Sequence, residues 1–219
     1  MPAVACNFDR VFEFAVADTA LLAIDMQHDF LDEEGFTAAV QGGDISMMQE
    51  IIPRFGAVLA AAREAGLFIV HTREGYLPDG SDMSEMKKAR RPKNDRGPLG
   101  RFLIRGEKGQ SLIPALAPMA GEPDIDKPGF GAFFRTDLQS MLEAHKIRNL
   151  ILMGVTTSCC VHSTMRGAVD LGYRCLTVED CCAAESKSLH DKAISLIYGE
   201  NHLFGWVTQS VKLIPVLLP

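Results

Sequence analysis

Residues 148–173 read RNLILMGVTTSCCVHSTMRGAVDLGY. Asn149 to Met153 is an apolar run of strand length, too short for a buried helix, and Gly154 breaks it. Thr156, Thr157 and Ser158 are residues that cap helices. Val161, Met165, Ala168, Val169 and Leu171 then fall near a 3.6-residue period that Gly172 ends. The stretch predicts a buried strand, a tight turn and a helix, with Cys159 and Cys160 in the first helical turn.

That position has chemical meaning. The first amide N–H groups of a helix have no intrahelical partner, and the helix dipole adds partial positive charge. A thiolate is stabilised there, with its pKa drawn from ~8.5 toward roughly 3.5–7.5, and the same N–H groups can hold an oxyanion. Simple apolar packing is the competing reading, and the local setting leaves the two level. Neighbouring helical residues point ~100° apart, so only one of the pair is expected to face a pocket. Cys159 is assigned to packing, as are Cys181 and Cys182.

Working outward, Thr19 to Ile24 is a buried strand that ends at Asp25, and Gln27 and Phe30 lie in the run that leaves it. Helical periodicity covers 46–65, and a second strand covers 67–71, leading into Thr72-Arg73-Glu74. Residues 75–109 are polar and rich in Pro and Gly, with a basic run at 87–93; they read as a solvated loop, a lid or a subunit contact. Asp124 to Lys127 is a short strand followed by PGFGAFF at 128–134. A helix over 136–145, strands over 174–178 and 204–208, a helix over 186–198 and a terminal helix or extension from 209 complete the pattern. Residues 1–18 read as an arm. This alternation predicts an α/β fold, a mostly parallel central sheet in a three-layer α/β/α arrangement. No G-x-G-x-x-G follows a strand and no G-x-S-x-G is present, which argues against a dinucleotide site and a serine-hydrolase elbow.

The 219 residues are expected to form one domain, and 47% hydrophobic content is ample for a core. The net charge of −6 and the lack of a basic stripe interleaved with aromatics argue against nucleic acid as a partner. No apolar run approaches the ~20 residues of a membrane span, and Asp9 and Glu13 break any secretory leader. The six cysteines suggest neither a disulfide framework nor a zinc site. A soluble cytoplasmic protein acting on a small molecule, without cofactor, is expected.

Three strand ends carry candidates: Asp25, Lys127 and Cys160. A cysteine nucleophile needs a base that takes its proton and later protonates the leaving group, which a carboxylate can do, and a nearby lysine stabilises the thiolate and oxyanion. LLAIDMQHDF at 21–30, KPGFGAFFRTDL at 127–138 and GVTTSCCVHSTMRGA at 154–168 are together similar to the isochorismatase-like cysteine hydrolases. The resemblance implies a triad of Asp25, Lys127 and Cys160, with Val161 marking Cys160 as the nucleophile. It also implies a cis peptide between Val155 and Thr156, an oxyanion hole from the N–H groups of Thr156 and Cys160, and a homo-oligomer, often a tetramer. Within the family, GPLGRFLIRGEKGQ at 97–110 and the paired threonines resemble the biuret hydrolases, and Phe204 to Val207 also suits ureidoacrylate hydrolases. The implied reaction is cleavage of a C–N bond in a urea-type amide such as biuret or triuret, with ammonia released through an acyl-enzyme. Ureidoacrylate or N-carbamoyl hydrolysis, and isochorismatase-type vinyl-ether hydrolysis, are the alternatives; a non-catalytic carrier on the same fold is a third class. Gln27, Phe30, Phe133, Phe134 and Glu200 are the expected substrate contacts. Glu200 stands where biuret hydrolases place a glutamine, and an acceptor-only carboxylate there favours an uncharged substrate. The D-x-H motif of the nicotinamidase branch is missing, so no metal is expected.

Overall fold

The expected N-terminal arm is instead a packed ribbon. In the computed structural model, which describes residues 1–218, β1 (Ala3–Ala5) and β2 (Val11–Glu13) pair antiparallel. Alternation buries Val4 and Phe12 while their neighbours stay out, and Phe14 joins the same core.

The next strands are β3 (Thr19–Ile24), β4 (Phe68–Glu74), the two-residue hairpin strands β5 (Arg96–Gly97) and β6 (Gly100–Arg101), β7 (Asp124–Lys127), β8 (Asn149–Val155), β9 (Arg174–Ala183) and β10 (Trp206–Thr208). Six of them form a wholly parallel sheet in the order β10-β9-β8-β3-β4-β7. β3 and β8 sit at its centre and are buried along their full length, the continuous apolar pattern of a sheet covered on both faces. The chain builds outward from β3 to β7, then returns to β8 and builds the other way. A strand order that reverses in this manner opens a crevice at the carboxyl ends of the two central strands.

The flanking helices are α1 (His28–Leu31), α2 (Phe36–Ala39), α3 (Ser46–Glu50), α4 (Ile52–Glu64), α5 (Glu85–Arg90), α6 (Leu138–Ala144), α7 (His162–Asp170), α8 (Lys187–His202) and α9 (Ser210–Leu217). The helix expected over 46–65 is broken at Ile51 because Pro53 suits only the first turn of α4. Two more differences bear on the site. The polar stretch 75–109 carries α5 and the β5–β6 hairpin over a satellite core of Tyr76, Met83, Leu103 and Ile104, so it is a packed strap. The first turn after β8, Thr157–Val161, is a π-helix before α7 begins. Gly154 makes this turn possible: its φ is +138°, and a Cβ there would lie 2.1 Å from the Ile24 carbonyl oxygen.

Glu122 ties α4 to the sheet. It accepts from Arg63 Nε and Nη2 at 2.7 and 2.8 Å, from Met119 N, and bonds His71 Nε2 at 2.9 Å. Burial raises its carboxyl pKa, but the Arg63 fork and these other donors outweigh it and hold the group at about 2. A depressed folded-state pKa gives stability that is complete above the unfolded value of ~4.3 and is lost as pH falls toward the folded value. Glu122→Gln should therefore lower stability by about 1–3 kcal/mol at neutral pH. Urea melts between pH 4 and 2.5 should show that gap closing; a gap independent of pH would refute the linkage.

Candidate active site

Three sheet strands and the cysteine turn deliver the catalytic candidates to one point. Asp25 follows β3 in a left-handed conformation (φ 53°), with its N–H donating to the Thr72 carbonyl at 3.0 Å. Its Oδ1 accepts from the Thr72 hydroxyl at 2.7 Å, and its Oδ2 lies 2.7 Å from Lys127 Nζ at the end of β7. Both side chains have no exposed surface. Lys127 Nζ also donates to the Gly129 carbonyl at 3.1 Å. The carboxylate oxygens of Asp25 and Glu74 and the sulfur of Cys160 all lie within 4.8 Å of one another. The three sequence-derived candidates thus meet, and the cis peptide stands at Val155–Thr156.

The electrostatics differ from the expectation of a helix-stabilised thiolate. Burial pushes the Asp25 carboxyl up against the opposing pull of Lys127. Burial also disfavours the Lys127 ammonium, yet Asp25, Cys160 and Glu74 outweigh it and raise its pKa. The Cys160 thiol is pushed well above its ordinary value by its hydrogen bond with Cys159 and by burial, with the Asp25 and Glu74 charges adding to the rise. The Cys159 contact and burial are the main physical reasons, and the two carboxylates offset part of the opposing pull of Lys127. The same surroundings that would hold a thiolate therefore favour the protonated thiol at Cys160.

Cys160 opens on a chamber of about 230 Å³. Its walls are Phe30, Thr37, Gln41, Met48, Phe102, Leu103 and Phe130, and its charged groups are Glu74 and Glu185. Thr156, Cys159 and Cys160 also line it. Cys159 therefore shares the pocket with Cys160, against expectation; the wider π-turn, not a ~100° α-turn, lets successive side chains face one cavity. A second chamber of about 250 Å³ shares Gln41, Glu74, Phe102, Leu103 and Phe130 with the first and adds Lys87, Arg90 and Arg91 from the strap. A larger cavity of about 600 Å³ lies behind the cysteine turn; His190, which lines it, bonds Thr157 at 2.9 Å.

Four of the five expected substrate contacts move. Phe30 does face the chamber. Gln27 is fully buried and clamps the backbone of Glu74: its Nε2 donates to the Glu74 and Gln110 carbonyls, and its Oε1 accepts from Glu74 N at 2.8 Å. Phe133 packs beside Gly167 of α7 and stacks on Tyr173, while Phe134 points to solvent. Residues 128–137 form turns and bends, and they present Phe130 instead. Glu200 is exposed in a non-helical kink near the end of α8, outside both chambers, so the substrate argument built on it lapses.

Sequence reasoning missed Glu74. It closes β4, which runs three residues past the apolar run, and its Oε2 accepts from Cys160 Sγ at 3.4 Å and lies 3.9 Å from Lys127 Nζ. Its Oε1 accepts from the Tyr76 hydroxyl and from Lys87 Nζ at 3.3 Å. The rule that singled out Asp25, a carboxylate at the carboxyl end of a parallel strand, finds Glu74 one strand over.

Residues 19–211 match the Isochorismatase domain family. The chain belongs to that family. Among curated relatives, the ureidoacrylate amidohydrolase RutB of Cronobacter turicensis is 31% identical over 94% of this chain and 91% of its own length. Two solved structures share the isochorismatase fold at lower identity. A cysteine hydrolase from Pseudomonas syringae pv. phaseolicola superposes with a TM-score of 0.82 at 24% identity, covering all of this chain and 98% of that one. The N-carbamoylsarcosine amidase from Thermoplasma acidophilum superposes with a TM-score of 0.67 at 23% identity, covering 88% and 96%. No helix among the described residues is long and apolar enough to cross a membrane.

Proposed function

We propose that this isochorismatase-family hydrolase is a cysteine-dependent amidohydrolase, cleaving a terminal C–N bond of a small linear ureido compound and releasing ammonia. The observation that carries the reading is Cys160 in a small chamber, backed by the sealed Asp25–Lys127 pair. The sulfur attacks the substrate carbonyl as its proton, turned toward Glu74 in the resting state, swings to Asp25, whose carboxylate lies within 4.8 Å of the sulfur. Lys127 and the backbone N–H groups of Thr156 and Cys160 hold the oxyanion; one such donor is typically worth ~100–1,000-fold in rate. Asp25 returns the proton to the departing nitrogen, which leaves as ammonia, and the acyl group stays on sulfur as a thioester.

For the substrate, the inner chamber favours an uncharged urea oligomer, biuret or triuret. Its charged groups are two carboxylates, which accept hydrogen bonds from N–H donors and repel a substrate carboxylate. A second reading has its own support. The RutB relative carries an ureidoacrylate name, and the outer chamber's Lys87, Arg90 and Arg91 offer a carboxylate a place to sit. Ammonia release from biuret, triuret, a ureidoacrylate-type acid and an N-carbamoyl amino acid separates the two. We expect turnover of the urea oligomers, abolished in Cys160→Ser. Turnover of the acids alone would keep the catalytic group and replace the substrate reading.

A further inference from the structure

We propose that Glu74 is a second catalytic carboxylate, the base that activates water to hydrolyse the acyl-enzyme. The inference rests on the cysteine amidohydrolase reading above and divides its proton transfers between two acids.

The two carboxylates beside the sulfur are not equivalent. Asp25 has no exposed surface, lines neither chamber, and has both oxygens engaged, one by the Thr72 hydroxyl and one by the Lys127 ammonium. It lies within 4.8 Å of the sulfur and can trade a proton with what is attached there, but it presents no surface to the chamber. Glu74 lines both chambers. Its Oε1 is held by Tyr76 and Lys87, its backbone is clamped on both sides by Gln27, and its Oε2 is turned toward Cys160. A base oriented by a further group is the arrangement general-base catalysis requires.

What happens to that Oε2 during the reaction is the decisive point. In the resting enzyme its donor is the Cys160 thiol at 3.4 Å. Once the sulfur is acylated it has no proton, and Oε2 loses its donor in a buried place where an unpaired acceptor is costly. A water from the chamber is the natural replacement, and it would then sit beside the thioester carbon. The step balances. The water oxygen bonds to the acyl carbon while one of its protons passes to Glu74. The tetrahedral intermediate collapses with loss of the C–S bond, and the leaving sulfur takes the proton back from Glu74. Free acid and thiol result, and the Glu74–thiol hydrogen bond is restored. Lys87 belongs to the same arrangement, because it joins the strap to the carboxylate and also donates to the Pro128 carbonyl at 3.0 Å.

The test is Glu74→Gln with the best substrate from the panel, followed by rapid quench and by intact mass. We expect a burst of about one ammonia per enzyme at a rate near wild type. Steady turnover should then fall ~100-fold or more, the usual worth of a general base, and an adduct of acyl mass should accumulate on Cys160. Hydroxylamine, which attacks thioesters without such a base, should restore turnover of the variant as a hydroxamate-type product. A burst lost in parallel with turnover would place Glu74 in the first step and overturn the proposal, as would full steady turnover or an adduct hydroxylamine does not discharge. If Glu74→Gln does not fold, Lys87→Met serves in its place: it leaves the carboxylate present but held at Oε1 by Tyr76 alone, and should give a burst with a smaller loss of steady turnover. Uniform slowing of both phases there would count against the proposal. If wild-type enzyme forms no adduct and releases no ammonia from any amide, the amidohydrolase reading itself has failed, an outcome distinct from all of these.

Discussion

Cys160→Ser is expected to reduce turnover by about 10⁴-fold or more while leaving the fold intact, because removal of a covalent nucleophile is among the largest single losses an enzyme shows. The substitution changes one atom in a site with little freedom to rearrange. Asp25 is a weak base for a hydroxyl, being paired with Lys127 at 2.7 Å, and a serine proton is far harder to remove than a thiol proton. The geometry makes a control necessary: Cys159 lines the same chamber and hydrogen-bonds Cys160. Cys159→Ser should keep most of the activity. The reverse ranking in an ammonia assay would move the nucleophile by one residue and would leave the thiol–Glu74 contact without a catalytic meaning.

Lys127→Met is expected to be the most destabilising change in the site. The lysine is buried with Asp25 on one side and Glu74 on the other, and removing one partner of a buried ion pair typically costs about 3–5 kcal/mol because the remaining charge is stranded. For a chain of this size that corresponds to a fall in Tm of roughly 10 °C. Pairing it with Asp25→Asn should recover a good part of the loss, since the stranded charge is removed with its partner. Thermal melts of the two single variants and the double variant decide it. Simple additivity would mean that the pair contributes no coupling, and activity should be absent in all three whatever their stability.

Much of this site was legible from the chain, and the reasons are local. Buried parallel strands are short apolar runs, and whatever follows such a run lies at the sheet's carboxyl edge; that makes Asp25 and the cysteine pair candidates, while the resemblance to the family adds Lys127 and selects Cys160. Residues whose roles depend on how irregular backbone turns were not legible. The sequence points to Phe133 and Phe134 where the structure presents Phe130, because the turns after Lys127 have no sequence period to read. α-Helical spacing points Cys159 away from the pocket, whereas the turn is π-helical and brings it in. Gln27 reads as a substrate contact because a polar side chain near a strand end looks the same whether it meets ligand or, as here, backbone. The strap and the N-terminal ribbon were underestimated for the opposite reason: each is held by a few buried residues, Tyr76 and Leu103 in one, Val4 and Phe12 in the other, too sparse to show as periodicity.

The chamber's construction has one more consequence. Asp25, Lys127, Glu74 and Cys160 stand at the ends of sheet strands, where Gly154 and the parallel ladder leave little room to vary. Thr37, Gln41, Met48, Phe102 and Phe130 come from α2, α3 and the connecting segments. Chemistry and selectivity are therefore separable parts of this molecule. A library confined to those five positions should redirect the enzyme among small amides while its rate-determining machinery is carried over unchanged.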